Sequence, residues 1–167
     1  MAVLNIHERV LHAPASEAGK LIDGLASKDD RLWPYDRWSV MKFDRPLGVG
    51  ATGGHGPIHY FVESYEPGRN ICFRFTEPKG FLGTHCFEIR ELSEHESKIR
   101  HVIEMRVTGW ARLQWPLVIR ALHDALLDDA LDRVEMFVGT QPTPRQWSPW
   151  VHFLRRILKR SRQAKKK

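Results

Sequence analysis

Three histidines are the residues most suited to chemistry in this chain of 167 residues. His101 shares the apolar face of an alternating segment with Met105, and His85 shares the face of another with Phe87. His123 falls at the flank of the apolar face of a helical segment. Imidazoles that converge on one apolar cavity could hydrogen-bond a ligand carbonyl or hydroxyl, or move a proton near neutral pH. The alternative is that each histidine is a half-buried core residue. His101 and His85 are therefore candidates for acid–base chemistry, and no firm catalytic residue is predicted.

The same alternation supplies further large side chains that could line such a cavity, although they also suit an ordinary core. A small-molecule site is usually an apolar pocket with a few convergent polar groups. The residues predicted to contact a bound molecule are Tyr60, Phe73, Phe75, His85, Phe87, His101, Met105 and His123.

Other motifs that could do chemistry are weaker. No predicted element carries the His-x-x-x-His or Glu-x-x-His spacing of a metal site, so no metal and no cofactor are predicted. The segment Gly53–Pro57 precedes a strand and lacks the Lys-Ser/Thr pair and helix of a phosphate loop. A tight turn at the edge of the curved sheet is the favoured interpretation, and His55 could still lie at a cavity mouth. Cys72 and Cys86 fit no disulfide framework or metal spacing, so free thiols in a cytosolic protein are predicted.

The elements that must position these residues follow the order β-α-α-β-β-β-β-β-α. A branched apolar strand at 3–12 precedes a helix over 16–26, and an N-cap pattern that stops at Pro34 predicts a second short helix within 27–38. A period-two pattern follows, broken by short Pro- and Gly-rich turns, and such short connections imply antiparallel pairing. The predicted strands lie near 39–44, 56–66, 69–76, 82–92 and 97–108.

The longest periodic segment, 110–138, predicts a long helix with one buried face. A curved antiparallel six-stranded sheet wrapped around this helix makes an α+β domain and encloses a space that is either filled or hollow. The opposite face of the helix is interpreted most simply as a solvated acidic row, which consists of Asp124, Asp128, Asp132 and Glu135.

The net charge of +6 is unevenly distributed. Nine of the 26 Lys and Arg residues lie in 140–167, which has no Asp or Glu, so 1–139 holds the other 17 and all 20 acidic residues. The body of the protein is therefore mildly acidic, which disfavours nucleic-acid binding by the whole chain. The predicted organisation is a domain at 1–139, a Pro-rich linker at 140–148, and a basic amphipathic helix with a Lys tail at 149–167.

The segment 149–167 places an apolar stripe opposite its basic residues. Such a helix can lie at an anionic membrane, with aromatic side chains inserted and cations at the lipid phosphates. Docking on its own domain, disorder and nucleic-acid contact are the alternatives, of which nucleic acid is the least favoured. No apolar stretch approaches the roughly 20 residues that cross a bilayer, so a membrane-spanning protein is not expected. The predicted location is the cytoplasm, with the inner face of the membrane as the peripheral site if this helix binds lipid. The residues predicted to face the membrane are Trp150, Phe153, Leu154 and Ile157.

Several phrases, together with the order of elements, carry a resemblance to a known family. The phrases are Leu32-Trp33-Pro34, Arg45-Pro46-Leu47-Gly48-Val49-Gly50-Ala51, Gly53-Gly54-His55-Gly56-Pro57-Ile58-His59-Tyr60, Glu66-Pro67-Gly68-Arg69 and Gly83-Thr84-His85-Cys86-Phe87. They resemble a bacterial, uncharacterised subgroup of the SRPBCC superfamily, which includes START lipid-transfer domains and polyketide cyclase/dehydrase-like proteins. The resemblance covers 1–139.

The resemblance implies a helix-grip fold whose cavity binds or carries a hydrophobic or amphipathic molecule, such as a lipid, an isoprenoid or a polyketide-like compound. Two alternatives stay open, because one fold serves many functions. One is a cyclase/dehydrase-like enzyme that uses His101 or His85 as general base. The other is an interaction module without a cavity, in which Met105 and Phe87 fill the space under the long helix.

Overall fold

The computed structural model describes residues 1–142 and 145–164, and these form one antiparallel seven-stranded sheet in the order β1-β7-β6-β5-β4-β3-β2, with helices packed against it. The strands are β1 (Ala2–Leu11), β2 (Met41–Phe43), β3 (Thr52–His55), β4 (Ile58–Glu66), β5 (Asn70–Glu77), β6 (Phe81–Ser93) and β7 (Glu96–Val107). The helices are α1 (Ala15–Asp23), α2 (Ala111–Gln114), a π-helical turn (Trp115–Ile119), α3 (Arg120–Phe137) and α4 (Pro149–Ala164). The predicted α+β class and antiparallel sheet are confirmed.

The sheet has one strand more than predicted, because the glycine-rich segment pairs on both sides. β3 joins β2 to β4, and Gly53 lies opposite both Phe43 and Tyr60. A Cβ at Gly53 would collide with the backbone carbonyl of Lys42. The absence of a side chain therefore permits the close approach that makes this segment a strand rather than only a turn.

The second short helix predicted within 27–38 is wrong, since this segment forms turns. The Asp30 carboxylate accepts hydrogen bonds from the backbone N–H groups of Leu32 and Trp33 at 2.9 and 2.8 Å, and from that of Ala26 at 2.8 Å. A buried carboxylate that captures three backbone donors competes with helical hydrogen bonding. The same carboxylate fixes the position of Trp33, whose ring contributes to the site described below.

The predicted long helix is present over 111–137, with a change of hydrogen-bonding pattern inside it. Pro116 lies in the π-helical turn, where the missing N–H removes an ordinary helical hydrogen bond. Beyond this turn, α3 packs its apolar face over the sheet and forms the main core with it. The core residues of α3 are Leu126, Leu127, Ala130, Leu131 and Val134.

The acidic row of this helix is not the solvated face that was predicted. Arg9 of β1 lies against it, with its guanidinium nitrogens 3.7 Å from Asp128, 3.8 Å from Asp132 and 3.6 Å from Glu135. Only 7% of Asp132 is exposed. The row faces the edge strand of the sheet, and ion pairing there offsets part of the cost of burying carboxylates.

The prediction of free thiols is also wrong. Cys72 and Cys86 lie directly opposite each other on β5 and β6 and form a disulfide. Their neighbours Ile71 and Phe73 are buried, so strand alternation places this bond on the outer face of the sheet. The pairing depends on the register of two strands, which the spacing of the cysteines does not reveal. The cytosolic location loses the support that it drew from free thiols.

Helix α4 begins at Pro149, as predicted, and packs against α3. Val151 and Leu154 are buried in that contact, so Leu154 does not face outward as predicted. Trp150, Phe153 and Ile157 are each about half exposed. The predicted Lys165–Lys167 tail and part of the 140–148 linker lie outside the described residues. Within the described chain, no helix combines the length and the apolar character that crossing a bilayer requires.

Candidate functional site

A cavity of about 270 Å³ lies between the sheet and the helices that cross it. Its walls are mainly apolar and come from four parts of the fold. The sheet contributes Phe75, Phe81, His85, Phe87, His101 and Ile103, and the helical side contributes Trp115, Ile119, Leu122, His123 and Leu126. The loop after α1 contributes Trp33 and Trp38, and α4 contributes Leu158. The space under the long helix is therefore hollow in part, unlike the filled space that an interaction module without a cavity requires.

The structure brings five of the eight predicted contact residues to this cavity and places three elsewhere. Phe75, His85, Phe87, His101 and His123 line the wall. Tyr60 and Phe73 are fully buried in the main core, and Met105 is buried in a second cluster with Trp115 and Val107. Tyr60 and Phe73 nevertheless contact the ring of His85, so they support the wall from behind.

His85 and His101 form the polar feature of the wall. Nδ1 of His85 lies 3.3 Å from Nε2 of His101, and only 5% and 2% of these residues are exposed. Within the described chain, the second nitrogen of each ring, His85 Nε2 and His101 Nδ1, is buried without a hydrogen-bond partner. A neutral imidazole carries one proton, so in either tautomeric arrangement one of these two nitrogens is a donor and the other an acceptor. The pair thus offers matched donor and acceptor capacity to a ligand.

Both histidines of this pair are held neutral by their surroundings. Burial lowers the pKa of His85 and of His101 well below the ordinary value, and neighbouring histidines add to the effect. The His85 ring stacks on Phe73 and Phe75, with centroids 4.9 and 4.8 Å apart, and the Phe87 ring meets His101 at 4.6 Å. A neutral imidazole has a lone pair that can accept a hydrogen bond or a proton, and the lowered pKa makes each ring a weaker base than an exposed histidine.

His55 lies at the cavity wall, where the sequence placed it at a mouth. Its Nδ1 lies 3.1 Å from the hydroxyl of Tyr60, and its ring packs 4.7 Å from that of Trp33. Burial lowers the pKa of His55 to about 3 and raises that of Tyr60 above its ordinary value. Both groups are therefore neutral, and His55, with Tyr60 behind it, extends the polar part of the wall beyond His85.

His123 closes the other end of the histidine cluster. Its ring lies 5.1 Å from that of His101, and its Nδ1 lies 3.7 Å from Asp124 Oδ1. Asp124 in turn lies 3.0 Å from Nε2 of His7 on β1. Sequence reasoning missed His7, although its register position opposite His101 follows once β1 is paired with β7.

Helix α4 is held on the domain by a second polar cluster that sequence reasoning also missed. The buried Asp129 carboxylate accepts hydrogen bonds from Arg37 and Trp38, each at 2.6 Å, and from Trp147 at 3.2 Å. The Arg155 guanidinium lies 4.1 Å from the centre of the Trp38 ring and 4.2 Å from that of Trp147. Burial raises the pKa of Asp129, and the hydrogen bonds and nearby cations oppose this shift. This cluster fixes Trp38 and brings Leu158 of α4 to the cavity.

A second depression, of about 430 Å³, is more open to solvent. It lies beside the glycine backbone of β3 and is lined by Lys42, Thr52, His59 and Thr76, among others. We place the functional site in the smaller cavity, because that space is more enclosed, largely apolar and contains the paired histidines.

No protein-family model and no curated protein matches the chain. Solved structures do match it. CalU16 from Micromonospora echinospora has a TM-score of 0.59 and 17% identity, over 92% of this chain and 81% of that one. Norcoclaurine synthase from Thalictrum flavum, solved with dopamine and hydroxybenzaldehyde, has a TM-score of 0.61 and 14% identity, over 85% and 90%. A Thermobifida fusca protein solved by NMR has a TM-score of 0.63 and 10% identity, over 85% and 99%. The chain therefore has the helix-grip fold that the sequence resemblance predicted.

Proposed function

We propose that this protein binds a small, largely apolar molecule that carries a polar group, and that the polar group hydrogen-bonds to His85 and His101. The observation that carries the proposal is the pair of buried imidazole nitrogens without a hydrogen-bond partner in the described chain, beside an apolar cavity. A buried polar group without a partner costs about 1–3 kcal/mol, and a ligand hydroxyl or carbonyl would recover part of that cost. The cavity supplies apolar contact, and the pair supplies orientation.

The volume of the cavity narrows the ligand class. Small-molecule sites commonly enclose about 300–1,000 Å³, and this cavity, at about 270 Å³, lies just below that range. The aromatic rings of Trp33, Phe75 and Trp115 around it favour a flat or compact ligand. A phenol, an aromatic ketone or a short isoprenoid fits this description better than a two-chain lipid.

Native mass spectrometry with organic extraction, on protein purified gently from its own host, tests the proposal. We expect a bound apolar compound that survives gel filtration. The variant Leu122→Trp, which places a larger side chain at the wall, should exclude it, whereas the control Leu82→Ala, at an exposed position on β6, should retain it. An empty wild-type protein that also takes up no hydrophobic fluorescent probe would refute the proposal.

A second candidate function is cyclase-like catalysis, which the donor–acceptor character of the histidine pair favours. One ring would take a proton from a carbon beside a carbonyl while the other donates to the carbonyl oxygen. The structural likeness to norcoclaurine synthase, solved with an amine and an aldehyde, is compatible with a small aromatic substrate. The variant His101→Ala separates the candidates, because an enzyme converts its substrate in the wild type and loses turnover in the variant, whereas a carrier converts its ligand in neither.

We also propose that an anionic membrane surface is where the ligand is collected or delivered. Trp150 of α4 donates a hydrogen bond to the carbonyl of Leu117 at 2.8 Å, which joins α4 to the π-helical turn. Exposed apolar residues occur on both joined segments and on the chain just before the π-helical turn: Trp110, Leu113, Leu117, Trp150, Phe153 and Ile157. Basic side chains of α4 flank them, and each cation near an anionic bilayer contributes about 1 kcal/mol to binding.

Vesicle flotation tests this location. We expect the full chain to float with phosphatidylcholine vesicles that contain phosphatidylglycerol and to stay behind with phosphatidylcholine alone. The double variant Trp150→Ser, Phe153→Ser should abolish flotation, whereas Leu82→Ser, an equally exposed residue on the sheet, should not. Failure of the wild type to float with anionic vesicles would refute the membrane location. The ligand proposal would be unaffected, because mass spectrometry tests it separately.

A further inference from the structure

We propose that His7, His123 and Asp124 bind a divalent transition-metal ion of the Zn²⁺ class at the edge of the sheet, next to the cavity. The sequence predicted no metal, because these residues come from β1 and from α3 and have no ligand spacing in common. Two imidazoles and one carboxylate are a donor set that such ions use in proteins, with a further position left for water or another ligand.

The distances fit a shared ion. Asp124 Oδ1 lies 3.0 Å from His7 Nε2 and 3.7 Å from His123 Nδ1, and the three ligand atoms lie within 4.8 Å of one another. Around a tetrahedral Zn²⁺ with bonds of about 2.0–2.1 Å, neighbouring ligand atoms are about 3.3 Å apart. The separation of 3.7 Å is too long for a hydrogen bond and close to that distance. Small side-chain rotations would bring all three atoms within bonding distance of one ion.

Two buried atoms at the same place point independently to a ligand. Nδ1 of His123 and Oδ1 of Asn5 have no hydrogen-bond partner within the part of the chain that the structure describes. Asn5 donates from Nδ2 to Asp124 Oδ1 at 3.0 Å, so its amide adjoins the proposed site. A metal ion would give His123 Nδ1 a partner, and a flip of the amide would offer the Asn5 oxygen as a fourth donor.

The charges and exposure of these groups suit a cation that enters from solvent. The side chains of His7, His123 and Asp124 are 13%, 15% and 35% exposed, so an ion can reach them in the folded protein. Asp124 supplies the anionic ligand of the set. Arg120, the cation nearest to Asp124, lies 3.6 Å from the other oxygen, Oδ2, and is 62% exposed.

Binding at this site would act on the cavity through His123, which belongs to both. A metal bound to Nδ1 leaves the ring proton on Nε2, so the tautomer of His123 becomes fixed. His123 lines the cavity and its ring lies 5.1 Å from that of His101. The metal would thus make Nε2 of this wall residue a hydrogen-bond donor. This consequence rests on the proposed ligand function, whereas the metal site itself does not.

Metal titration of the untagged full-length protein, after treatment with a chelator, tests the site. We expect isothermal titration with Zn²⁺ to give one ion per chain, and Co²⁺ to give the visible absorption of a four-coordinate ion with nitrogen and oxygen ligands. Asp124→Asn and His7→Gln should each weaken binding by at least tenfold, since even outer-shell changes at metal sites cost about 10–100-fold. The matched control is His12→Gln, because exposed His12 pairs with Glu96 at 3.1 Å and no third ligand joins them among the described residues.

The readouts keep folding separate from metal binding. Circular dichroism and a thermal melt in chelator should show that Asp124→Asn and His7→Gln remain folded, and Zn²⁺ should raise the melting temperature of the wild type but not of these variants. Absence of stoichiometric binding by the wild type would overturn the proposal. So would full affinity in both variants, or loss of affinity only in His12→Gln. Ligand extraction from the same preparations reports separately on the cavity.

Discussion

Lowering the pH should destabilise this protein steeply below about pH 6.5, because the cavity histidines are buried in the neutral form. The pKa values of His85 and His101 are well below 6.5 in the folded chain, and that of His55 is about 3. In the unfolded chain each would titrate near 6.5. The unfolded state therefore binds more protons, so these groups stabilise the fold fully above pH 6.5, and the contribution is lost as pH falls toward the folded pKa values.

The size of the effect follows from the same values. At about pH 5, His55, whose pKa in the folded chain is about 3, lowers the free energy of unfolding by about 2 kcal/mol relative to neutral pH, and the lowered pKa values of His85 and His101 act in the same direction. Domains are stable by only about 5–15 kcal/mol in total, so acid unfolding near this pH is expected. The buried Asp30, Asp129 and Asp132, whose pKa values are raised, act in the opposite direction as they gain protons.

Urea unfolding followed by tryptophan fluorescence, at several values between about pH 7.5 and pH 5, measures the effect. The variant His101→Gln should reduce the slope of stability against pH below pH 6 by about 1.4 kcal/mol per pH unit, which corresponds to one proton. His12→Gln, at an exposed histidine, should leave the slope unchanged. A stability that is flat between pH 7.5 and pH 5, or a slope that His101→Gln does not alter, would refute the assignment of neutral buried rings.

Three further predictions concern how the fold is held together. Asp129→Ala removes the acceptor that holds α4 to the domain, so it should lower the free energy of unfolding by about 2 kcal/mol. It should also expose the Arg and Lys residues of α4 to trypsin, which is measured as faster cleavage there than in the wild type. The double variant Cys72→Ser, Cys86→Ser removes the disulfide, which joins residues with a sequence separation of 14, and should lower the free energy of urea unfolding by about 3 kcal/mol. An unchanged value would show that the bond adds no stability. Leu127→Ala, at a core position of α3, should lower the free energy of urea unfolding by about 2–5 kcal/mol without changing its dependence on urea concentration. A loss below about 1 kcal/mol would contradict the packing described.

The parts of the fold that the sequence predicted are those in which one element shows its own pattern. Alternation between short turns located β4 to β7, and helical periodicity located α3 and α4. The inward position of His101 followed from alternation alone. In each case a few neighbouring residues contain the whole signal, because the period of a strand or a helix is a local property.

Strand β1 was predicted, but the direction of its side chains shows why long-range features could not be predicted from the sequence. Its branched apolar residues Leu4, Ile6 and Val10 are exposed on the outer face, whereas Asn5, His7 and Arg9 point toward α3. The usual rule of apolar residues inward is reversed here, since the facing side of α3 carries carboxylates. The burial of the acidic row and of the polar residues of β1 depends on their contact with each other. That contact joins residues more than a hundred positions apart, which a local pattern does not reveal.

Part of the cavity wall could not be predicted from the sequence, for a related reason. Trp33 and Trp38 come from irregular turns that the buried carboxylates Asp30 and Asp129 hold in place, and no periodic pattern marks such turns. The disulfide likewise depends on a register between strands. From the sequence, the histidines of the site and the sheet residues Phe75 and Phe87 were predicted, whereas Trp115 and the turns that hold Trp33 and Trp38 at the cavity were not.

The polar groups of the site form a continuous series through the core, and this continuity ties the stability of the protein to its function. From the Tyr60 hydroxyl and His55, the series passes His85 and His101 and ends at His123, where the pair of His7 and Asp124 begins. Apolar residues at these positions would pack without the loss of stability at low pH that buried neutral histidines bring. The fold instead keeps donors and acceptors whose partners are incomplete within the described chain. A molecule in the cavity, and an ion at its edge, would complete them, so the features that weaken the empty protein are those that favour its ligands.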